Sequence, residues 1–223
     1  MSIAKWSLSG LSLLFLGASL VSAQTSFDVN FGFGRAWDGA SGGGLDNPNS
    51  PLNAYGSCTL GAGDPNCQSL PSMNSFFLGF GADLMLYKHL GVGFDASLQP
   101  TLQNYGPLQY RQAFYDLNGI YSPFTLKHAS LRLEGGVGDA HTGFSISQGG
   151  CVGTAFCNNS SQSIGGANHF DVHVGVGVQV YITEHIFVRP EFDFHYVPGL
   201  TNQFSSDAVP EAMVWVGYSF GER

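Results

Sequence analysis

Charge is scarce in this sequence. Asp, Glu, Lys and Arg make up 11% of its 223 residues, where about 25% is usual for a soluble domain. Past residue 23 the only lysines are Lys88 and Lys127, so little is available to coat a broad watery surface. What charge there is runs acidic, with a formal net charge of −8. That excludes the basic footprint that nucleic-acid binding requires. Long apolar runs are missing too: beyond the N-terminus no stretch reaches the ~18 consecutive apolar residues of a spanning helix. Any membrane crossing therefore falls to β-structure. The chain also has no G-x-S-x-G, H-E-x-x-H or P-loop, and no cofactor is expected.

The N-terminus reads as an export signal. Lys5 precedes the apolar run "LSLLFLGASL", and Val21-Ser22-Ala23 is a small-residue cleavage pattern. Together they predict a cleaved Sec-type signal peptide over residues 1–23. No Cys follows the site, which speaks against a lipoprotein anchor. Residues 24–223 then form one domain, a length that suits a single all-β unit.

Within that domain, alternation at period two recurs eight times: "FDVNFGF", "FFLGFGADLML", "LGVGFDASLQ", "AFYDLNGIY", "ASLRLEGGV", "HFDVHVGVGVQVYI", "IFVRPEFDFHY" and "AMVWVGYSF". Side chains alternate faces along a strand, so each segment has one face of large apolar groups and one of Gly and polar groups. Short turns join some of the segments, "YKHL" at Tyr87–Leu90, "SPFTLKH" at Ser122–His128 and "TEH" at Thr183–His185. Longer connections run over Trp37–Ser75, Gly138–Asn168 and Pro198–Val209 and are read as loops, while the remaining turn, around Asn104–Pro107, is small. A soluble, secreted lipocalin-like barrel would turn the apolar face inward, but its wet face would then need Lys, Glu and Thr. The mixed face here carries Gly79, Gly81, Gly91, Gly93, Gly136, Gly175, Gly177 and Gly217, which suits a crowded interior. The expected architecture is an eight-stranded antiparallel up-and-down transmembrane β-barrel with long extracellular loops and both termini on the periplasmic side.

The signal peptide, the eight amphipathic segments, the "YITEHIFVRPEFDFHY" hairpin and the terminal "VWVGYSF" resemble the small outer-membrane barrels of the OmpA/OmpX/opacity type. The resemblance implies an outer-membrane location in a Gram-negative envelope, with outer-membrane lipid and lipopolysaccharide around the wall. It also implies that Phe220 is the aromatic read by the assembly machinery. Such barrels include adhesins, structural anchors, minor pores and a few lipid A-modifying enzymes.

Several residues are candidates for a role. Cys58 and Cys67 fall in one long loop and Cys151 and Cys157 in another, which in an exported chain reads as disulfides. Local pairing is the simplest connectivity; a bridge between loops and a Cys₄ zinc site are the alternatives. Inward positions include Asp28, Asp83, Asp95, Asp116 and Glu211, together with a charge network of Arg132, Glu134, Asp171, Arg189, Glu191 and Asp193. Charges in a narrow lumen must pair, so this network reads as a plug, with a narrow cation-preferring pore as the alternative. "HFDVH" raises a metal reading through His169, Asp171 and His173. The two histidines are ~13 Å apart along a strand, so neighbouring strands would have to supply ligands, and no metal is expected. His89, His128 and His185 end the three tight turns and read as solvated turn residues rather than a histidine ring. The function expected is a non-enzymatic, monomeric surface protein for adhesion, another surface interaction or envelope integrity, with a surface ligand that the sequence does not name.

Overall fold

The alternation becomes the two faces of one closed wall. The computed structural model describes residues 26–38, 73–105, 108–152, 156–202, 204 and 206–221. The signal segment and much of the Trp37–Ser75 connection lie outside the described residues. The strands are β1 (Ser26–Ala36), β2 (Ser75–Tyr87), β3 (Leu90–Leu98), β4 (Gln103–Tyr105), β5 (Leu108–Thr125), β6 (Ala129–Val152), β7 (Phe156–Tyr181), β8 (Ile186–Tyr196) and β9 (Ala208–Phe220). Neighbours pair in the order β3-β2-β1-β9-β8-β7-β6-β5-β4, and a further pairing of β3 with β5 closes the ring. Eight long antiparallel strands thus form the barrel, and the three-residue β4 pairs with the start of β5. Closure satisfies the backbone from strand to strand, the condition that lipid imposes on a spanning sheet.

The eight segments occupy the faces that their period assigns, except that Ala113 of "AFYDLNGIY", an outer-set position, is buried. On β7, Phe170, Val172, Val174, Val176, Val178 and Val180 point outward and are exposed, and Ile182, exposed as well, lies just past the strand end. That row runs roughly 40 Å along the strand, which a tilt of about 45° reduces to roughly 28 Å. This matches the ~25 Å apolar band of a spanning barrel. The inward set is buried: Asp28, Asp83, Asp95, Asp116, Arg132, Glu134, Asp171, Arg189, Glu191, Asp193 and Glu211. The lipocalin-like arrangement is reversed, with apolar groups outside and charge within.

One expected loop is strand. Gly138–Val152 and Phe156–Asn168 form the upper parts of β6 and β7, which stay paired from Ala129↔Val180 to Val152↔Phe156. β5 accompanies β6 only as far as Leu108↔Ile146, and β8 leaves β7 at Tyr196↔Val172. The hairpin therefore rises beyond its neighbours. A bulge interrupts it where Phe144 faces Gly165 and Ser145 faces Ser163. Gly165 has φ 152° there, a backbone geometry that side-chain-bearing residues avoid.

The break between β3 and β4 is held by glutamines. Gln99 donates its backbone N–H to the Gln112 carbonyl (2.9 Å), and Gln112 returns its own to Gln99 Oε1 (2.8 Å). Gln112 Nε2 then donates to Thr142 Oγ1 at 2.7 Å, and Gln99 Nε2 donates to Ser75 Oγ. The bend is thereby tied to β2, β5 and β6.

Candidate functional site

The chemistry-bearing residues lie in the lumen, in layers that begin at the short-turn end. An open vestibule of about 160 Å³ comes first, lined by Asp28, Lys88, Ser122, Ser130, Gln179 and Tyr181 among others. Gln179 Nε2 lies 3.1 Å from Asp28 Oδ2 and 2.6 Å from the Tyr181 hydroxyl.

Above it is an arginine layer organised on Asp83 of β2. Arg132 from β6 grips Asp83 through two nitrogens at 2.7 and 2.9 Å, a fork-on-carboxylate geometry. Arg189 from β8 reaches the same carboxylate at 2.9 Å, and the Asn30 amide donates to it at 3.0 Å. Each arginine also holds the glutamate two residues along its own strand: Arg132 Nε–Glu134 Oε2 is 2.7 Å and Arg189 Nε–Glu191 Oε2 is 2.9 Å. The Arg189 guanidinium carbon lies 5.5 Å from the centre of a Trp215 ring. Glu134, Glu191 and Asp193 converge closely, with the two guanidiniums already against the glutamates.

A histidine layer follows. His195 Nδ1 is 2.7 Å from Asp171 Oδ2, and His195 Nε2 is 3.3 Å from Glu211 Oε2. His173 Nδ1 stands 3.3 Å from Asp116 Oδ1, without alignment for a hydrogen bond. The two imidazole rings are 5.2 Å apart, and Phe114 covers His195 at 4.6 Å. A cavity of about 20 Å³ lies between these groups and the arginine layer, bordered by Asp116, His173, His195, Glu211 and Trp215.

At the loop end the lumen turns apolar. Met73, Phe77, Phe114, Val197, Leu200, Phe204 and Val209 are all fully buried in one cluster. Leu200 and Phe204 come from the β8–β9 connection, which folds back over the mouth.

The glycine-rich face has a packing reason. Ladder register sets a glycine opposite many of the bulky lumen groups: Gly93 faces Asp83, Gly81 faces Asp95, Gly177 faces Glu191 and Gly175 faces Asp193. Gly136 faces His173, Gly138 faces both Asp116 and Asp171, and Gly32 faces Trp215. A methyl at Gly136 would overlap His173, and one at Gly138 would overlap the Asp116 carboxylate. Small residues thus make room for large ones, as a narrow barrel requires.

Against known proteins, neither a family model nor a curated sequence matches the chain. Solved structures do. The crystal structure of Ail, the attachment invasion locus protein of Yersinia pestis, in complex with a heparin analogue, aligns over 88% of this chain and 99% of its own at TM-score 0.52 and 11% identity. The chain has the fold of the small outer-membrane β-barrels. Neisserial surface protein A aligns over 90% of this chain and 98% of its own (TM-score 0.48, 12% identity). The N-terminal barrel of Pseudomonas aeruginosa OprF covers 89% and 98% (TM-score 0.44, 14% identity).

Within this barrel the sequence-predicted residues separate. Arg132, Glu134, Arg189 and Glu191 share the arginine layer, whereas Asp171 belongs to the histidine layer. Asp193 lies opposite Gly175 and near the two glutamates. Asp83, the hub, was one of the inward residues, but the network named from the sequence omits it. Its links to Arg132 and Arg189 cross 49 and 106 residues of chain, and nothing local signals them. His169 is only half-buried and stands apart from the layer that holds Asp171 and His173.

The turn histidines do not form a ring. The backbone carbonyls of His89, His128 and His185 accept the N–H of Ser122, Tyr181 and Ser219 on the adjoining strand ends. The imidazoles of His89 and His185 also contact the Ser122 and Ser219 carbonyls, at 2.7 and 3.1 Å. Each histidine ties its turn to a neighbouring strand. Phe220 ends β9 on the outer face beside Phe27 and Tyr218. Cys58 and Cys67 lie outside the described residues. Cys151 and Cys157 stand opposite each other in the ladder near the hairpin tip.

Proposed function

We propose that the protein is an integral outer-membrane barrel with a sealed lumen, working at the cell surface through the β6–β7 hairpin and adjoining loops. The observation that carries this reading is the apolar cap of Phe77, Phe114, Leu200 and Phe204 across the loop end of the lumen. An ion crossing the barrel would have to breach that cap and then the arginine layer. The apolar belt of the outer wall supports residence in lipid with lipopolysaccharide outside. A closed ring without free edges in that belt supports a monomer.

The hairpin supports surface recognition. Above Asp171, β7 has no ladder partner on its β8 side among the described residues, and such an edge accepts an added strand from a partner. A bridge between Cys151 and Cys157 would pin its tip. Ail was solved with a heparin analogue, but the net charge of −8 here turns recognition away from polyanions. Phe220 serves assembly as the strand-terminal aromatic. Catalysis on lipid A has little support: His173, His195 and Glu191 are buried in the lumen, away from the lipid face.

Planar-bilayer recording of the refolded chain is expected to show no conductance steps, and a stable, cation-selective conductance would overturn the sealed lumen. Replacing residues 143–166 by a two-residue turn is expected to preserve heat-modifiable migration on gels. The same change should abolish adhesion of displaying cells to epithelial monolayers and matrix proteins. Unchanged adhesion, with new detergent sensitivity of the cells, would move the function to envelope integrity.

A further inference from the structure

Asp116 on β5, Asp171 and His173 on β7, and His195 on β8 each aim one donor atom into the histidine layer, and these atoms all lie within 4.8 Å of one another. We propose that this set binds one divalent first-row transition metal ion, of which Zn²⁺ is the first probe, as an internal tie between three strands. The proposal goes beyond the surface role and does not depend on it.

Three observations carry it. The donor chemistry is two imidazoles and two carboxylates, a combination that suits zinc and its neighbours, and two carboxylates neutralise a divalent charge. The second is unmet bonding. Asp116 Oδ1, Asp171 Oδ1 and His173 Nδ1 are buried without a hydrogen-bond partner, in side chains at most 6% exposed. Buried polar atoms are rarely left so, and two of these face each other across 3.3 Å. The third is space and support. The cavity of about 20 Å³ borders Asp116, His173 and His195, and Gly136 and Gly138 leave the room that His173 and Asp116 occupy.

Glu211 completes the arrangement. With a proton on His195 Nε2, that N–H donates to Glu211 at 3.3 Å and leaves Nδ1 to the metal. Metal-ligating histidines are commonly oriented in this way by a carboxylate. Phe114 over His195 shields the site from the loop side. The arginine layer differs at this point, because its carboxylates already hold two fixed cations. The donor atoms, all within 4.8 Å of one another, close around the ion to reach ligand distances of ~2.0–2.2 Å, a movement within reach of the terminal torsions of Asp and His.

The test uses the mature chain without a polyhistidine tag, extracted folded from outer membranes and, separately, refolded with Zn²⁺ or chelator. The expected result is about one zinc per chain and, by X-ray absorption, a nitrogen- and oxygen-only ligand shell. Heat-modifiable unfolding should move to lower temperature after chelation. Sulfur ligands, which would place the ion on the cysteines, or no retained metal at equimolar zinc would overturn the proposal. His195→Gln and Asp171→Asn, scored only where heat-modifiable migration certifies folding, are expected to lose the ion. Glu211→Gln should weaken it about ten- to a hundred-fold, and His169→Gln should leave stoichiometry unchanged. Loss in His169→Gln with retention in His195→Gln would place the ion at the rim and overturn the assignment. The wild-type absorption spectrum decides the matter even if every variant fails to fold.

Discussion

The arginine layer and the histidine layer sit one above the other in the same lumen, and they meet the same difficulty in different ways. Each gathers carboxylates in a space with almost no water. In the arginine layer two guanidiniums, buried with their carboxylates, supply fixed positive charge and nearly every nitrogen finds an oxygen. In the histidine layer no arginine is present, and several carboxylate oxygens have no hydrogen-bond partner. The first layer therefore has its compensating positive charge built into the chain, even though Glu191 Oε2 and Asp193 Oδ1 also lack an aligned hydrogen bond. The second is completed by something added, which is why a cation is assigned to it. Buried charge does not define a function by itself; what matters is whether its compensation is built in.

The largest expected effect comes from breaking the complete layer. Arg132→Met leaves Asp83 and Glu134 buried beside a single remaining guanidinium. Breaking a buried pair from one side costs about 3–5 kcal/mol, so the denaturant midpoint, followed by gel mobility in detergent, should fall sharply. If the midpoint moves by less than about 1 kcal/mol equivalent, the layer is not the clamp described here.

A glycine pair sharpens the comparison. A methyl at Gly138 would meet the Tyr115 backbone carbonyl as well as the Asp116 carboxylate, whereas at Gly177 it would first meet the side chains of Glu191 and Arg189. Side chains yield and backbone does not. Gly138→Ala is expected to cost toward the upper end of about 1–3 kcal/mol, and Gly177→Ala distinctly less. Equal costs in parallel unfolding titrations would mean that the two layers are equally rigid. The smallest effect belongs outside both layers. His185→Ala removes the imidazole contact to Ser219 together with its stacking on Tyr218 and should cost about 0.5–1.5 kcal/mol, giving a baseline for a side-chain tie at the turn end.

The wall was readable in the sequence because lipid on one side and a packed lumen on the other enforce strict alternation. "FDVNFGF" and "IFVRPEFDFHY" name their faces residue by residue. The hairpin was not readable for the same physical reason. On β7 from Gln162 to Asn168 both faces are exposed or half-buried, and on β6 the buried face of Ala140, Thr142 and Phe144 mixes small, polar and aromatic groups, so the period fades while the strand continues. Inward phase identified Asp83 and Asp116 as lumen residues but not their partners. Partnership depends on register between strands distant in sequence, and period two carries no register. The "HFDVH" triad illustrates the limit: two of its members do meet in one layer, but with His195 and Asp116 rather than with His169.

β9 lies against β1 from Phe27↔Phe220 to Ala36↔Glu211, so strands from opposite ends of the described chain are neighbours at the turn end. Order along the chain is therefore cyclic around the wall. A circular permutant that joined those ends with a short turn and opened at Lys88–His89 would keep every ladder. The ordinary chain carries instead a seam whose pairings span almost its whole length. Such long-range contacts pay their loop-closure entropy last, and until they form, β1 and β9 expose two raw edges to lipid. Delivering this chain to the membrane is thus largely a matter of escorting two edges until they meet.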